Sequence, residues 1–153
     1  MSNRREIIPD DIMTMDDYAE VRAEQRKAIT EIKRDRRVAI GPDATFYFES
    51  YDTMWHQIHE MLYIEGGDEA QIAEELSAYN PLIPKGRELV ATLMFEIDDS
   101  NRRTKFLAGL AGVEETVTMS FDGETVTGQV AGVQERFLGD TPKPRVSGLI
   151  NAR

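Results

Sequence analysis

Apolar positions recur along this chain with two different periods, and the change from one to the other lays out its elements. Between Met15 and Arg37 there is neither Gly nor Pro, and Tyr18, Val21, Ile29 and Ile32 form a sparse stripe at helical spacing. Thr14 stands where an N-cap belongs, and Asp16 and Asp17 suit the positive end of a helix dipole. A long first helix is predicted, preceded by a helical turn entered through Pro9 in IIPDDIM. The β-branched and aromatic segments VAI and ATFYFES, on either side of Gly41-Pro42-Asp43, read as a pair of strands. Helical periodicity returns from Tyr51 to Ile64, Gly66-Gly67 ends it, and Asp68 with Gln71 opens another helix to about Tyr79. After NPLIPKG, the run from Arg87 to Ile97 has the composition of a central strand, and a short helix is expected from about Ser100 to Leu110.

The plainest local signal is TVTMSF-DG-ETVTGQV, two alternating runs joined by a dipeptide suited to a type I′ turn. Pairing Phe121 with Glu124 sets Val117, Met119, Phe121, Val126 and Val130 on one face and threonines and Ser120 on the other. These elements predict an α+β fold: an antiparallel sheet from about Val38–Ser50, Arg87–Ile97 and the 116–131 hairpin, with a long N-terminal helix and further helices packed against it. Residues 1–138 are expected to form a single domain. The Pro-rich, weakly patterned residues 139–153 are expected to be a loosely held tail.

Composition narrows the chemistry. At 153 residues the chain can bury a core without crosslinks, and it has no cysteine, which removes thiol nucleophiles, disulfides and Cys-ligated zinc or iron–sulfur clusters. A net charge of −10 repels phosphate backbones, so no nucleic-acid partner is expected. The run Leu89–Phe95 is too short to cross a bilayer, and the N-terminus lacks an apolar secretory core, so no membrane association and a cytoplasmic location are expected. No phosphate-binding loop, dinucleotide fingerprint or nucleophile elbow occurs.

One constellation is suited to chemistry. Both histidines lie in YDTMWHQIHEMLYIE, three residues apart on the predicted helix. Tyr51, Met54, Trp55, Ile58, Met61 and Leu62 share an apolar stripe, while Asp52, His56, His59, Glu60 and Tyr63 fall on the adjoining polar one. His56 and His59 with Glu60 and Asp52 could hold a divalent metal, zinc, iron or manganese, given a further ligand, or a His–Glu pair could move protons. The reading with more weight is that they are boundary residues, their imidazoles hydrogen-bonded to nearby carboxylates. The zincin pattern is absent, because Tyr63 stands where His59-Glu60 would need a second histidine. Charge is also segregated: between Arg37 and Lys85 there is no Lys or Arg but nine acids, Asp43, Glu49, Asp52, Glu60, Glu65, Asp68, Glu69, Glu74 and Glu75. Such a field would attract cations or a basic surface and raise the histidine pKa values. The basic first helix, with seven Lys or Arg from Arg22 to Arg37, could instead pair with it internally.

The segments GPDATFYFESYDTMWHQIHEMLYIEGG and AEELSAYNPLIPKGRELVATLMFEID resemble an uncharacterised bacterial domain-of-unknown-function family over roughly Ile8 to Val117. After about Val133 the chain departs from that pattern, where a further strand would be expected. The resemblance implies a setting beside rubrerythrin-like proteins and iron–sulfur proteins similar to heterodisulfide reductase subunits. It brings no catalytic residues. Together these readings lead us to expect an accessory or interaction protein of a cytosolic redox or oxidative-stress system, for which a homodimer and a rubrerythrin-like or iron–sulfur partner are candidate assemblies. The alternative is a metal-dependent redox or hydrolytic enzyme using His56, His59 and Glu60.

Overall fold

Thr14 accepts the Asp17 amide at 3.2 Å and so opens helix α1, Met15–Arg34. The computed structural model describes residues 4–134, 137–138, 141–142 and 145–150, with side-chain surroundings for residues 4–129. The chain divides into two compact units, Met1–Arg36 with Glu49–Gly86 and Arg37–Phe48 with Arg87–Arg153.

The first unit is helical. Ahead of α1, Pro9–Asp11 forms a 3-10 turn, as the position of Pro9 predicts. Helix α2, Tyr51–Glu65, begins with reciprocal bonds between Ser50 and Thr53 and ends at Gly66, whose φ of 79° is left-handed. Helix α3, Glu69–Tyr79, starts as Asp68 accepts the Gln71 amide at 2.9 Å, and a 3-10 turn over Asn80–Leu82 follows. Of these helices α2 is the most enclosed, with Met54, Ile58, Met61 and Leu62 buried along with His56 and His59.

The second unit is built on a sheet. Strands β1, Arg37–Ile40, and β2, Ala44–Phe48, pair across the turn at Gly41, and β2 pairs with β3, Leu89–Phe95. Registers Phe46↔Leu93 and Ala44↔Phe95 place these residues on one face. There Phe46, Ala91, Leu93 and Phe95 pack against Phe106 and Leu107 of helix α4, Ser100–Ala108, and against Leu110, Val113 and Val117. Arg102 of α4 also pairs with Asp43 beside β2. Asp99 caps α4 by accepting the Arg102 amide at 2.6 Å.

The Asp122-Gly123 hairpin forms as predicted: strands β4, Thr118–Phe121, and β5, Glu124–Thr127, pair with Phe121 opposite Glu124. Both turn residues have positive φ, 47° and 80°, the signature of a type I′ turn. Met119 and Val126 face one another half-buried, while Phe121 at the tip is 44% exposed. The expectation that this hairpin joins the main sheet is corrected. It is a separate two-stranded ribbon, and the Gly128 amide closes onto Val117 O at 2.8 Å where the ribbon ends. The chain then runs into β6, Gln129–Gln134, and the short pair β7, Phe137–Leu138, and β8, Thr141–Pro142. The place beside β3 belongs to β9, Arg145–Ile150, giving the antiparallel order β1-β2-β3-β9-β6. Part of the segment 139–153, expected to be loosely held, lies outside the described residues, and its described parts are β8 and β9. The α+β assignment and the long first helix are those the pattern predicts.

Candidate functional site

Tyr18, on the apolar stripe of α1, is completely enclosed, and its ring lies 4.9 Å from that of His59. The middle of the polar stripe of α2, at His56 and His59, is therefore packed under α1, while Tyr63 stays exposed. His59 is fully buried and His56 is 8% exposed.

His59 stacks on Trp55 with ring centroids 3.8 Å apart, and each of its nitrogens has one role. A carbonyl oxygen only accepts, so the 2.7 Å contact with Trp55 O requires that Nδ1 carry the proton. An amide N–H only donates, so the 3.1 Å contact from Met13 requires the lone pair of Nε2. His59 is thus a neutral imidazole with both nitrogens engaged.

His56 and Glu60 meet at the Tyr18 hydroxyl. Tyr18 donates to Glu60 Oε1 at 2.9 Å, and with its single proton spent there the 3.4 Å contact with His56 has Nδ1–H donating to the phenol oxygen. Arg22, one turn beyond Tyr18, grips the same carboxylate with two arms, Nε to Oε1 at 2.9 Å and Nη2 to Oε2 at 3.0 Å. The Arg22 guanidinium also lies over the Tyr63 ring, 4.4 Å from its centroid.

Burial dominates the titration of this cluster. It pushes His56 down from 6.5 to about 4, with Lys33, Arg26 and His59 acting in the same direction and Glu60 opposing them. Burial likewise lowers His59, against the bond to Trp55 O. The expected rise of the histidines in an acidic field is corrected: loss of hydration outweighs the carboxylate. For Glu60, burial pulls the carboxyl up, but the Arg22 and Tyr18 hydrogen bonds outweigh it and leave the group below its usual value. Burial and the Glu60 carboxylate raise Tyr18, which stays a proton donor.

Of the sequence-derived candidates, the structure joins His56 and Glu60 through the Tyr18 hydroxyl and sets His59 against the Tyr18 ring. Asp52 lies one helical turn before His56, in the first turn of α2. For a metal ion this set fits poorly. His59 Nε2 already serves Met13, so an ion there would have to displace that amide, and the Glu60 carboxylate is already neutralised by Arg22. Among the described residues no group of three His, Asp or Glu is placed to hold a metal ion. The arrangement instead forms a closed polar clasp between α1 and α2, and no buried side-chain polar atom among the described residues lacks a partner.

Sequence reasoning missed Tyr18 and Arg22 as members of the cluster. Their spacing of four puts them on one face of α1, which is a usable signal, but nothing local names Glu60 as their partner.

A family profile with the description "Protein of unknown function (DUF3501)" matches residues 6–141, past the point near Val133 where the resemblance was expected to end. A crystal structure of a novel protein of unknown function from Burkholderia pseudomallei K96243 is similar to this chain, with a TM-score of 0.83 and 33% identity. That similarity covers 95% of this chain and 76% of the Burkholderia one. No curated protein matches.

Proposed function

The chain belongs to the DUF3501 family, and we propose that it is an accessory or interaction protein of a cytosolic redox or oxidative-stress system, binding through its surface without turnover of its own. The observation that carries this reading is the closure of the clasp: of the residues best able to do chemistry, His56 and His59 are buried and Glu60 is half-buried, and they bond to Tyr18, Arg22, Trp55 and Met13. A reactive group needs access to a substrate and a free lone pair or proton.

The charge left at the surface supports a basic partner. Of the acids in the Lys- and Arg-free tract, Asp43 is paired with Arg102 and Glu60 with Arg22, while Glu49 and Glu75 are buried. Glu65, Asp68, Glu69 and Glu74 remain exposed around the end of α2 and the start of α3, with Ile64 exposed beside them at 59%. An apolar residue rimmed by like charges suits a complementary protein surface.

The test is a pull-down with a rubrerythrin-like partner at low and high salt. Complex formation at low salt, weakened by salt and by charge reversal at Glu69 and Glu74, supports the proposal. No complex at low salt, or one indifferent to the charge reversal, overturns it.

A further inference from the structure

Tyr18 is the middle ring of three. It meets Trp55 edge-on with ring centroids 6.2 Å apart, and Tyr63 edge-on at 6.2 Å as well. Tyr18 is fully buried, Trp55 is half-buried and Tyr63 is 39% exposed, so ring contacts lead without a break from the surface to the interior of the first unit. In a chain without cysteine, phenol and indole are the side chains most readily oxidised by one electron. An electron, unlike a substrate, needs no opening to reach a buried group, and passes between rings that touch.

Loss of an electron makes a phenol so acidic that it sheds its proton, and the Tyr18 hydroxyl already aims that proton at a base. Glu60 Oε1 accepts it at 2.9 Å, within the reach of direct proton transfer. Arg22 bonds both carboxylate oxygens and lies 4.4 Å over the Tyr63 ring, so it holds the acceptor ionised and in line while fixing the exposed ring. His56 Nδ1–H, 3.4 Å from the phenol oxygen, remains to hydrogen-bond that oxygen once its own proton has gone. Tyr47 also donates to a carboxylate, Glu96 at 2.8 Å, but in an exposed position where a phenoxyl meets water and solutes.

We infer that Tyr18 is a redox-active tyrosine, a buried holding point for one oxidising equivalent that reaches it from the surface through Tyr63. A one-electron oxidant of the high-valent iron or oxygen-radical class takes an electron from Tyr63, whose phenol proton passes to water. Tyr63 recovers an electron from Tyr18 and a proton from water. The Tyr18 O–H bond breaks as the Glu60 Oε1–H bond forms, which leaves a neutral phenoxyl beside a neutral carboxyl. An oxidised Trp55 is refilled from Tyr18 in the same way. A thiol or ferrous donor returns the electron, and Glu60 returns the proton. Only the source of the oxidant rests on the redox reading proposed above, and the experiment below uses the isolated chain with a photochemical oxidant, so either proposal can fail without the other.

Flash oxidation of the full-length chain by photogenerated ruthenium(III) tris-bipyridine tests this, followed by absorption and by electron paramagnetic resonance of freeze-quenched samples. Wild type should form a tyrosyl radical that outlives any formed in Tyr18→Phe by roughly tenfold, because Tyr18 is shielded from water. Glu60→Gln, which keeps the shape but offers no base, should slow its formation about a hundredfold. Tyr63→Phe should slow it severalfold. A long-lived radical that persists in Tyr18→Phe overturns the inference, as does a rate unchanged in both Glu60→Gln and Tyr63→Phe. Should a variant fail to fold, a ring-fluorinated tyrosine placed at position 18 decides: fluorine splitting should enter the radical spectrum, and a spectrum without it overturns the inference.

Discussion

Arg22 and Glu60, thirty-eight residues apart, meet through two parallel hydrogen bonds, Nε to Oε1 at 2.9 Å and Nη2 to Oε2 at 3.0 Å. The guanidinium fork matches the carboxylate, and the Arg22 side chain, 27% exposed, is also stacked on Tyr63. Arg22→Lys keeps the charge but loses the second bond and the stack, and should lower stability. Arg22→Met leaves the Glu60 carboxylate only its Tyr18 hydrogen bond and should cost more. Urea denaturation of the variants beside wild type checks the order, and equal stabilities would contradict the clasp.

Acid should weaken the fold through the same cluster. Because the folded His56 pKa lies below its ordinary 6.5, at about 4, the unfolded chain binds the proton first as pH falls. Its contribution is present above pH 6.5 and is lost between 6.5 and 4, on the order of 3 kcal/mol in all. His59, also lowered by burial, acts in the same direction, and Glu60, held low by Arg22 and Tyr18, loses its contribution as pH falls through its folded pKa. Denaturation midpoints at pH 8, 6 and 4.5 should fall steadily, and His56→Asn should flatten the profile.

Divalent metals should find no tight site on α2. Titration of wild type and a His56→Ala, His59→Ala double variant with zinc, manganese and ferrous iron should show equally weak binding, because no three His, Asp or Glu side chains converge among the described residues and His59 Nε2 is engaged by Met13. Tight binding present in wild type and absent in the variant would restore the metal-dependent reading of His56, His59, Glu60 and Asp52. The double variant should also lose stability, since Met13 N–H would be left without an acceptor, at about 1–3 kcal/mol.

At the hairpin tip, Gly123→Ala meets no neighbour within 4 Å, so its whole effect comes from a φ of 80°. A cost of about 1 kcal/mol is expected, felt as fraying of β4 and β5. Amide exchange at Met119 and Val126, which sit opposite one another in a hydrogen-bonded pair, reports it, and the Phe46–Leu93 pairing should be unaffected.

Elements marked by local chemistry were legible in the sequence. The Thr14 cap, the Pro9 turn, the left-handed Gly66 and the Asp122-Gly123 turn each act within four residues, through hydrogen bonds or backbone strain that the residues themselves specify. What reached across the chain was not. Arg145–Ile150 has little apolar alternation and becomes a strand by pairing with β3 on one side and β6 on the other. The polar stripe of α2 reads the same whether it faces water or another helix, and only the packing of α1 over it turned His56, His59 and Glu60 from a candidate reactive edge into a buried clasp. Periodicity tells which residues share a face, but what covers that face is decided by contacts between residues far apart in the chain, and burial by those contacts decides which lone pairs and charges remain free.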